Sequence, residues 1–180
     1  RYIFVCYKME NYEKIKYLAK GVFGEVFLAK DKRTGKLCVI KMSLGVLSDE
    51  SDIRREIIAA KHLRSYDNTY VPNFIETFLD KDGRRCFSME FIDGRDINDV
   101  VRSFSVVESK LFFTLAIQTL LALKYIHSKN IIHNDLNGGN ILITNNYEVK
   151  IIDFGWSCEY IPVTPVVWHN YGINHNVITK

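Results

Sequence analysis

The stretch from Ile131 to Gly155 constrains the fold of this 180-residue chain more than any other. Two short apolar runs flank a pair of asparagines, which is typical of a β-hairpin. Because a hairpin brings its two ends together, Asn140 before it and Asp153 after it should lie close in space. Such oxygen ligands suit Mg²⁺, which proteins hold with one or two carboxylates and with substrate phosphates. The alternative is a hairpin with ordinary turn residues.

The same stretch resembles the catalytic loop and the metal-binding loop of protein kinases, H-R-D-x-x-x-x-N and D-F-G. The matching residues, in the order and spacing of the family, are His133, Asp135, Asn140, Asp153, Phe154 and Gly155. The resemblance implies that Asp135 takes or orients the proton of the attacking hydroxyl. It also implies that Asn140 and Asp153 hold the magnesium ions. We expect His133 to be a core residue under the loop and not a base.

The composition is that of an ordinary globular protein, with 47% hydrophobic and 25% charged residues. A net charge of +3 is too small to indicate nucleic acid as the main partner. The four cysteines are widely spaced and form no C-x-x-C pair, so free thiols in a reducing compartment, the cytoplasm or the nucleus, are the simpler interpretation. No apolar run approaches 18 residues, so we expect no membrane span.

Residues 12–91 are predicted to form a small lobe of five strands and one helix, after an N-terminal extension over residues 1–11. Between the first two strands lies a partial glycine loop, in which backbone N–H groups can approach phosphate oxygens. The kinase pattern is G-x-G-x-x-G-x-V, and Ala19 stands at its first glycine. A plain β-turn is the alternative. The resemblance implies a nucleotide lid made of Leu18, Ala19, Lys20, Gly21, Val22, Phe23, Gly24 and Val26.

Lys41 lies on the predicted third strand at the position of the kinase V-A-I-K lysine. The resemblance implies that its ammonium neutralises the α- and β-phosphates of ATP. Val39 replaces the alanine that packs on adenine. A helix is predicted over residues 48–64, because apolar residues recur there at helical spacing. Glu56 on this helix would hold Lys41 toward the phosphates, and an ordinary surface glutamate is the alternative.

The end of the fifth strand resembles the kinase hinge. The resemblance implies that the backbone of Glu90 and Ile92 hydrogen-bonds adenine. Met89 would border the back of the pocket, and Leu142 would pack beneath the adenine ring. Asp96 is a candidate for the ribose hydroxyls, and a helix N-cap is at least as good an interpretation of it.

Residues 92–180 are predicted to form part of a helical second lobe, with a long helix over residues 106–128. Asn134 replaces the arginine that precedes the catalytic aspartate in many kinases. This replacement indicates that any activity is not switched by phosphorylation of the activation loop. Asn137 replaces the lysine typical of Ser/Thr kinases, which leaves the acceptor specificity and some of the catalytic power open.

Only 25 residues follow Gly155, and they contain no A-P-E motif and no further amphipathic helix. The usual platform for peptide substrates is therefore missing from the sequence. We interpret the chain as C-terminally truncated: a fragment, a minimal kinase-like chain or a truncated reading frame. Its last apolar residues would need a covering surface, so a partner chain is possible. They are Trp156, Tyr160, Ile161, Val163, Val166, Val167 and Trp168.

The predicted fold is α+β, a bilobal protein-kinase-like fold with a five-stranded N-lobe sheet, one N-lobe helix and a partial helical C-lobe. The predicted function is ATP- and Mg²⁺-dependent transfer of a phosphoryl group to a protein hydroxyl, with serine or threonine favoured. A catalytically impaired pseudokinase that binds nucleotide or a partner is one alternative. A small-molecule kinase of the aminoglycoside or choline type is another, although Phe23 in the glycine loop and the D-F-G motif favour the protein-kinase branch.

Overall fold

The computed structural model describes residues 8–46, 53–103 and 109–160. The strands are β1 Tyr12–Lys20, β2 Gly24–Asp31, β3 Leu37–Val46, β4 Phe74–Leu79, β5 Arg84–Glu90, β6 Gly94–Asp96, β7 Ile131–Ile132, β8 Ile141–Thr144, β9 Val149–Ile151 and β10 Cys158–Glu159. The helices are α1 Ile53–His62, α2 Ile97–Ser103 and α3 Ser109–Ser128, with 3-10 turns at Met9–Asn11 and Gly138–Asn140.

The first five strands form one antiparallel sheet in the order β1-β2-β3-β5-β4. This confirms the five strands and one helix expected for the small lobe. Side chains alternate between the two faces of a strand, and β3 is a clear case. Cys38, Ile40 and Met42 lie in the core on one face of the sheet. Lys41 therefore faces the other side, toward α1.

Helix α1 packs on that second face. Ile53 and Ile57 contact Phe74 and Phe87 of the sheet, with Ala60 at the edge of the cluster. This is the apolar stripe that the helical spacing predicts. The predicted first turn of the helix falls within residues 47–52, outside the described residues. Because α1 holds its apolar stripe against β4 and β5, Glu56 beside that stripe comes into contact with Lys41 of β3.

The second part of the chain contains the predicted hairpin, now β8 and β9, with β6 added on its open side. Helix α3 packs against this part through Leu115, Ala122 and Ile126. One buried cluster spans both parts of the fold and includes Phe154 of the D-F-G motif. Its members are Ala59, Leu63, Val71, Ala122, Ile126, Ile131, Ile151 and Phe154.

Helix α3 is also long and apolar enough to cross a membrane by length and composition alone. The sequence expectation concerned uninterrupted apolar runs, whereas α3 has polar residues between its apolar ones and a mean hydropathy of 1.3. One such helix is weak evidence for a membrane span, because the mostly buried core helices of soluble proteins can be equally long and apolar. In α3, 17% of the most apolar stretch is buried. The absence of a membrane span stays a prediction.

Several expectations fall outside the described residues. These concern residues 1–7 of the N-terminal extension, the first residues of the long helix at 104–108, and the C-terminal segment 161–180. The domain boundaries and the compartment also stay predictions. Of the apolar residues expected to need a covering surface, the structure describes Trp156 and Tyr160, and each is 50% exposed.

Candidate active site

Lys41 joins three separate elements of the fold. Its Nζ lies 2.5 Å from Glu56 Oε2 on α1 and 3.1 Å from Asp153 Oδ1 after β9. Lys41 and Glu56 are both buried, so Glu56 is not the surface residue of the alternative interpretation. A buried charge is costly unless it is paired. The structure therefore places an ammonium, held from one side by Glu56, beside the carboxylate predicted to hold metal.

The charges in this cluster shift one another's protonation. Burial acts to lower the pKa of Lys41, but the carboxylates of Glu56 and Asp153 outweigh it and hold that pKa above its ordinary value. Burial raises the pKa of Glu56 to about 7, and the Asp153 charge adds to this, while Lys41 acts in the opposite direction. Lys41 is thus cationic throughout the physiological range. The ion pair is complete once Glu56 is ionised.

The two predicted metal ligands are brought together by the hairpin. The N–H of Ile152 donates to the backbone carbonyl of Asn140 at 3.0 Å, which fixes the two ends of the hairpin side by side. Asp153 has a φ of +61°, a left-handed conformation that aspartate tolerates better than most residues. Its Oδ1 accepts hydrogen bonds from Lys41 and from the N–H of Gly155.

Each predicted ligand keeps one oxygen without a hydrogen bond. The side-chain amide of Asn140 donates to the backbone carbonyl and to Oδ2 of Asp135, at 2.8 and 3.1 Å. Among the residues that the structure describes, no donor reaches Oδ1 of Asn140 or Oδ2 of Asp153. A carboxylate oxygen and a carboxamide oxygen are the donor types that Mg²⁺ takes. The residues present therefore fit this ion.

Asp135 is held by two neutral amides. Asn137 Nδ2 lies 3.3 Å from Oδ1, and Asn140 donates to Oδ2. Asn137 also accepts a hydrogen bond from the N–H of Gly139 at 2.9 Å and so caps the 3-10 turn of the loop. In the sequence, Asn137 is apparent only as a replacement of the lysine that is typical of Ser/Thr kinases. In the structure it helps to orient the Asp135 carboxylate.

His133 is a core residue, as expected. It is buried, and its Nδ1 accepts the N–H of Asp135 at 3.3 Å. This leaves Nε2 as the protonated nitrogen, which donates to the carbonyl of Ile152 at 2.9 Å. The ring also packs on Phe154, with 4.7 Å between ring centroids. One imidazole thus ties the Asp135 loop to the strand that carries Asp153.

Asn134 holds the segment that follows the D-F-G motif. It has a φ of +61°, and its Nδ2 donates to the carbonyl of Trp156 at 3.1 Å and contacts Cys158 Sγ at 3.2 Å. Beyond this point β10 pairs with β7. The sequence shows Asn134 only as the loss of an arginine. The structure shows that a neutral side chain at this position anchors the residues that follow the D-F-G motif.

The glycine loop is compact, and its two glycines have different roles. The N–H of Gly21 donates to the carbonyl of Gly24 at 2.9 Å, and a Cβ on Gly21 would make an ordinary contact with that carbonyl oxygen at 4.0 Å. A Cβ on Gly24 would lie 2.4 Å from the carbonyl oxygen of Met42. Gly24 is therefore required for the close approach of β2 and β3. Ala19 and Lys20, expected in the loop, continue β1 by pairing with β2.

The residues predicted around adenine lie at the junction of the two sheets. Val39 is paired with Met89 in the register of β3 and β5, and Asp96 is paired with Leu142 in that of β6 and β8. The partly or fully exposed apolar side chains here include Leu18, Val26, Val39, Met89 and Leu142, while Ile92 is buried. Met89 also lines a 20 Å³ cavity behind the pocket, between α1 and Phe154.

Two of the predicted nucleotide contacts have other partners. Asp96 Oδ1 accepts the N–H of Asp99 at 2.9 Å and caps α2, as the alternative interpretation states. The ribose contact of Asp96 stays a prediction. The N–H of Glu90 donates to the carbonyl of Asn73 at 2.9 Å, so a backbone contact of Glu90 with adenine would use its carbonyl. The adenine contacts of Glu90 and Ile92 stay predictions.

Comparison with known proteins agrees with this geometry. The sequence matches the family described as "Protein kinase domain" over residues 12–179. The chain belongs to the protein kinase domain family. This kinase domain is 35% identical to the probable serine/threonine protein kinase IRE of Arabidopsis thaliana, over 83% of the chain and 13% of that protein. It is 36% identical to an Aurora kinase of Yarrowia lipolytica, over 84% of the chain and 41% of that protein.

A third relative of the kinase domain is the human mitogen-activated protein kinase kinase kinase kinase 3, at 30% identity over 83% of the chain and 16% of that protein. The chain thus spans well under half the length of these relatives. The family confirms the predicted fold: a five-stranded sheet with its helix, followed by part of the second lobe.

Three features of this kinase domain were missed by reasoning from sequence. They are the anchoring by Asn134, the orientation of Asp135 by Asn137, and a contact between Phe23 and Trp156. The two asparagines had a usable signal, because asparagine at a turn often caps or bridges backbone groups. The aromatic contact had none, since its two residues lie at opposite ends of the described chain.

Proposed function

We propose that this kinase domain binds Mg²⁺-ATP and transfers the γ-phosphoryl group to the hydroxyl of a protein, with serine or threonine as the acceptor. The observation that carries the proposal is the position of Lys41 between Glu56 and Asp153, at 2.5 and 3.1 Å. A buried ammonium beside an exposed metal-binding carboxylate is an arrangement suited to a polyphosphate. No nucleic acid is needed as a partner.

Phosphoryl transfer depends on positioning and on charge neutralisation, and little covalent chemistry is asked of the protein. Asn140 Oδ1 and Asp153 Oδ2 would hold magnesium, which when bound neutralises charge on the phosphate oxygens. Lys41 adds a fixed positive charge on the other side of Asp153. The lid residues 18–26 would cover the phosphates.

Asp135 is placed to align the acceptor. Its two oxygens each accept an amide hydrogen bond, from Asn137 and Asn140, so the carboxylate has a fixed direction. A carboxylate oxygen has a second lone pair, with which Asp135 can accept the proton of an incoming hydroxyl. The preference for serine or threonine is supported by the names of the relatives, which include serine/threonine protein kinases.

A second candidate is a nucleotide-binding module without catalysis, and one observation favours it. Asn137 is neutral, so it supplies no charge to a developing phosphoryl group, unlike the lysine typical of Ser/Thr kinases. Under this candidate the chain binds ATP and a partner protein through the same cleft but does not transfer phosphate. The two candidates share nucleotide binding and differ in turnover.

The test compares the wild type, Asp135→Ala and Asp67→Ala in two assays. Asp67 is an exposed aspartate away from the site and serves as the matched control. Thermal shift with ATP and Mg²⁺ should stabilise all three proteins. Phosphate transfer to casein, measured by mass spectrometry, should fall about 100-fold or more in Asp135→Ala alone, because positioned acid–base groups contribute factors of this size.

Each outcome of the two assays points to one conclusion. Binding without transfer in the wild type would favour the nucleotide-binding module. Equal transfer by the wild type and Asp135→Ala would remove Asp135 from its role. If magnesium and ATP leave the melting temperature of the wild type unchanged, the proposal is wrong.

A further inference from the structure

Two aromatic side chains connect the glycine loop to the segment after the D-F-G motif. The Phe23 ring at the tip of the loop meets the Trp156 ring edge-to-face, with 4.9 Å between centroids and 68° between planes. The same Phe23 ring lies over Gly155, where an added Cβ would be 2.4 Å from Phe23 Cδ2. The lid of the phosphate site is therefore in direct contact with its floor.

The Trp156 side of this contact is firmly anchored. The carbonyl of Trp156 accepts the hydrogen bond from Asn134, next to Asp135 in the chain. The N–H and the hydroxyl of Ser157 both donate to the carbonyl of Phe154, at 3.0 and 2.7 Å. Phe154 is itself buried in the core. Trp156 thus projects from a fixed turn.

The Phe23 side belongs to a loop with much weaker support. Gly21 and Val22 beside it are exposed, and the backbone hydrogen bond that closes this turn runs from Gly21 to Gly24. Phe23 is partly buried, and its ring stacks edge-on against Trp156. The position of the loop tip therefore depends on what Phe23 packs against.

We propose that Phe23 and Trp156 form an aromatic latch that holds the glycine loop closed over the phosphates of a bound nucleotide. The proposal rests on the proposed function, namely nucleotide binding in this cleft. Both side chains are positioning residues: they act through the backbone N–H groups of the loop. Edge-to-face aromatic pairs favour association by a factor of about 2 to 13. We expect the latch to raise nucleotide affinity by a factor in this range.

The latch also explains why position 155 is a glycine. A side chain there would displace the Phe23 ring and push the loop tip outward. The sequence motif alone explains Gly155 by family resemblance. In this chain the glycine makes room for the lid.

The first experiment tests the contact by fluorescence. The chain has two tryptophans, Trp156 and Trp168, so a Trp168→Phe background isolates the signal of Trp156. In that background Phe23→Ala should shift the Trp156 emission to longer wavelength, because the ring loses its aromatic cover. Phe113→Ala is the matched control, since it is the same substitution at a ring on α3 that is 61% exposed. Identical spectra for the two variants would refute the contact.

The second experiment measures the Kd of Mg²⁺-ATP by isothermal titration calorimetry. Phe23→Ala and Trp156→Ala should each raise Kd about 2- to 13-fold, and the double variant should be no weaker than the weaker single variant. The conservative Trp156→Phe, which keeps a ring in place, should restore most of the affinity. The absence of any effect in both single variants, or effects that multiply in the double variant, would overturn the latch.

The two proposals fail in distinguishable ways. If the wild type does not bind Mg²⁺-ATP, the proposed function is wrong and the latch has no nucleotide to hold. If the wild type binds and Phe23→Ala binds as well as Phe113→Ala, the latch alone is wrong.

Discussion

The buried Glu56 should make the stability of this chain depend on pH in a specific direction. Burial raises its pKa from the ordinary 4.5 to about 7. Between these two values the native state retains a proton that the unfolded state has released. The free energy of unfolding therefore falls as pH rises through this window. The difference of about 7 minus 4.5, or about 2.5 pH units, corresponds to about 3 kcal/mol.

The perturbation that isolates this effect is Glu56→Gln, which removes the titration at nearly constant volume. The measurement is the free energy of unfolding in urea at pH 4.5, 5.5, 6.5 and 7.5, for wild type and variant. Ionisable groups that do not contact Glu56 are common to both proteins and cancel in the difference. From the lowest to the highest pH, the wild type should lose about 3 kcal/mol relative to the variant.

Lys41 does not disturb this measurement. Its pKa is raised, so the stability that it contributes is complete below its ordinary value of 10.5 and is lost only above that pH. Glu13→Gln on β1, where the side chain is exposed, is the control for removing one carboxylate from the chain. Parallel curves for Glu56→Gln and the wild type would refute the reasoning, because they would mean that Glu56 has the same pKa in both states.

Two further predictions concern stability: one tests packing between β2 and β3, and the other tests a side-chain hydrogen bond. Gly24→Ala should lower the free energy of unfolding by about 1 to 3 kcal/mol, because its Cβ would meet the Met42 carbonyl at 2.4 Å. Gly45→Ala, with nothing within 4 Å of its Cβ, should be neutral or stabilising by up to about 1 kcal/mol. Equal changes in the free energy of urea unfolding for Gly24→Ala and Gly45→Ala would contradict this reasoning. Tyr125→Phe should cost about 1 kcal/mol, since the hydroxyl donates to the Leu63 carbonyl at 2.7 Å. An unchanged midpoint would show that water replaces that bond.

Much of the fold was predictable because it is encoded locally. The β8–β9 hairpin follows from two apolar runs around a turn, and the structure places it at Ile141–Thr144 and Val149–Ile151. The fixed short spacing from Asp135 to Asn140 likewise brings those side chains together. Helical periodicity predicted the apolar face with Ile53 and Ile57, whereas the role of Glu56 was implied by the resemblance, with a surface glutamate as the alternative.

The rest depended on neighbours that no local pattern specifies. The glycine motif predicts that Ala19 and Lys20 leave the sheet, whereas pairing with β2 extends β1 through both. Asn134 and Asn137 look like losses in a motif, because the groups they hold lie elsewhere in the chain or in the loop backbone. The meeting of Phe23 with Trp156 requires the whole arrangement of the two lobes, which spacing alone does not give.

Phe154 has a consequence for how variants of this protein will behave in genetics. Its ring packs in a cluster with residues from α1, α3, β7 and β9, such as Ala59, Ile126 and Ile151, and Phe154 immediately follows Asp153 in the chain. A substitution that disrupts this cluster would therefore displace the carboxylate proposed to bind metal, and a substitution of Phe154 itself would disrupt the core. Loss-of-function screens should therefore recover core substitutions that lower both the cellular abundance of the protein and the activity of its candidate site. Conditional, temperature-sensitive alleles should concentrate around this one ring.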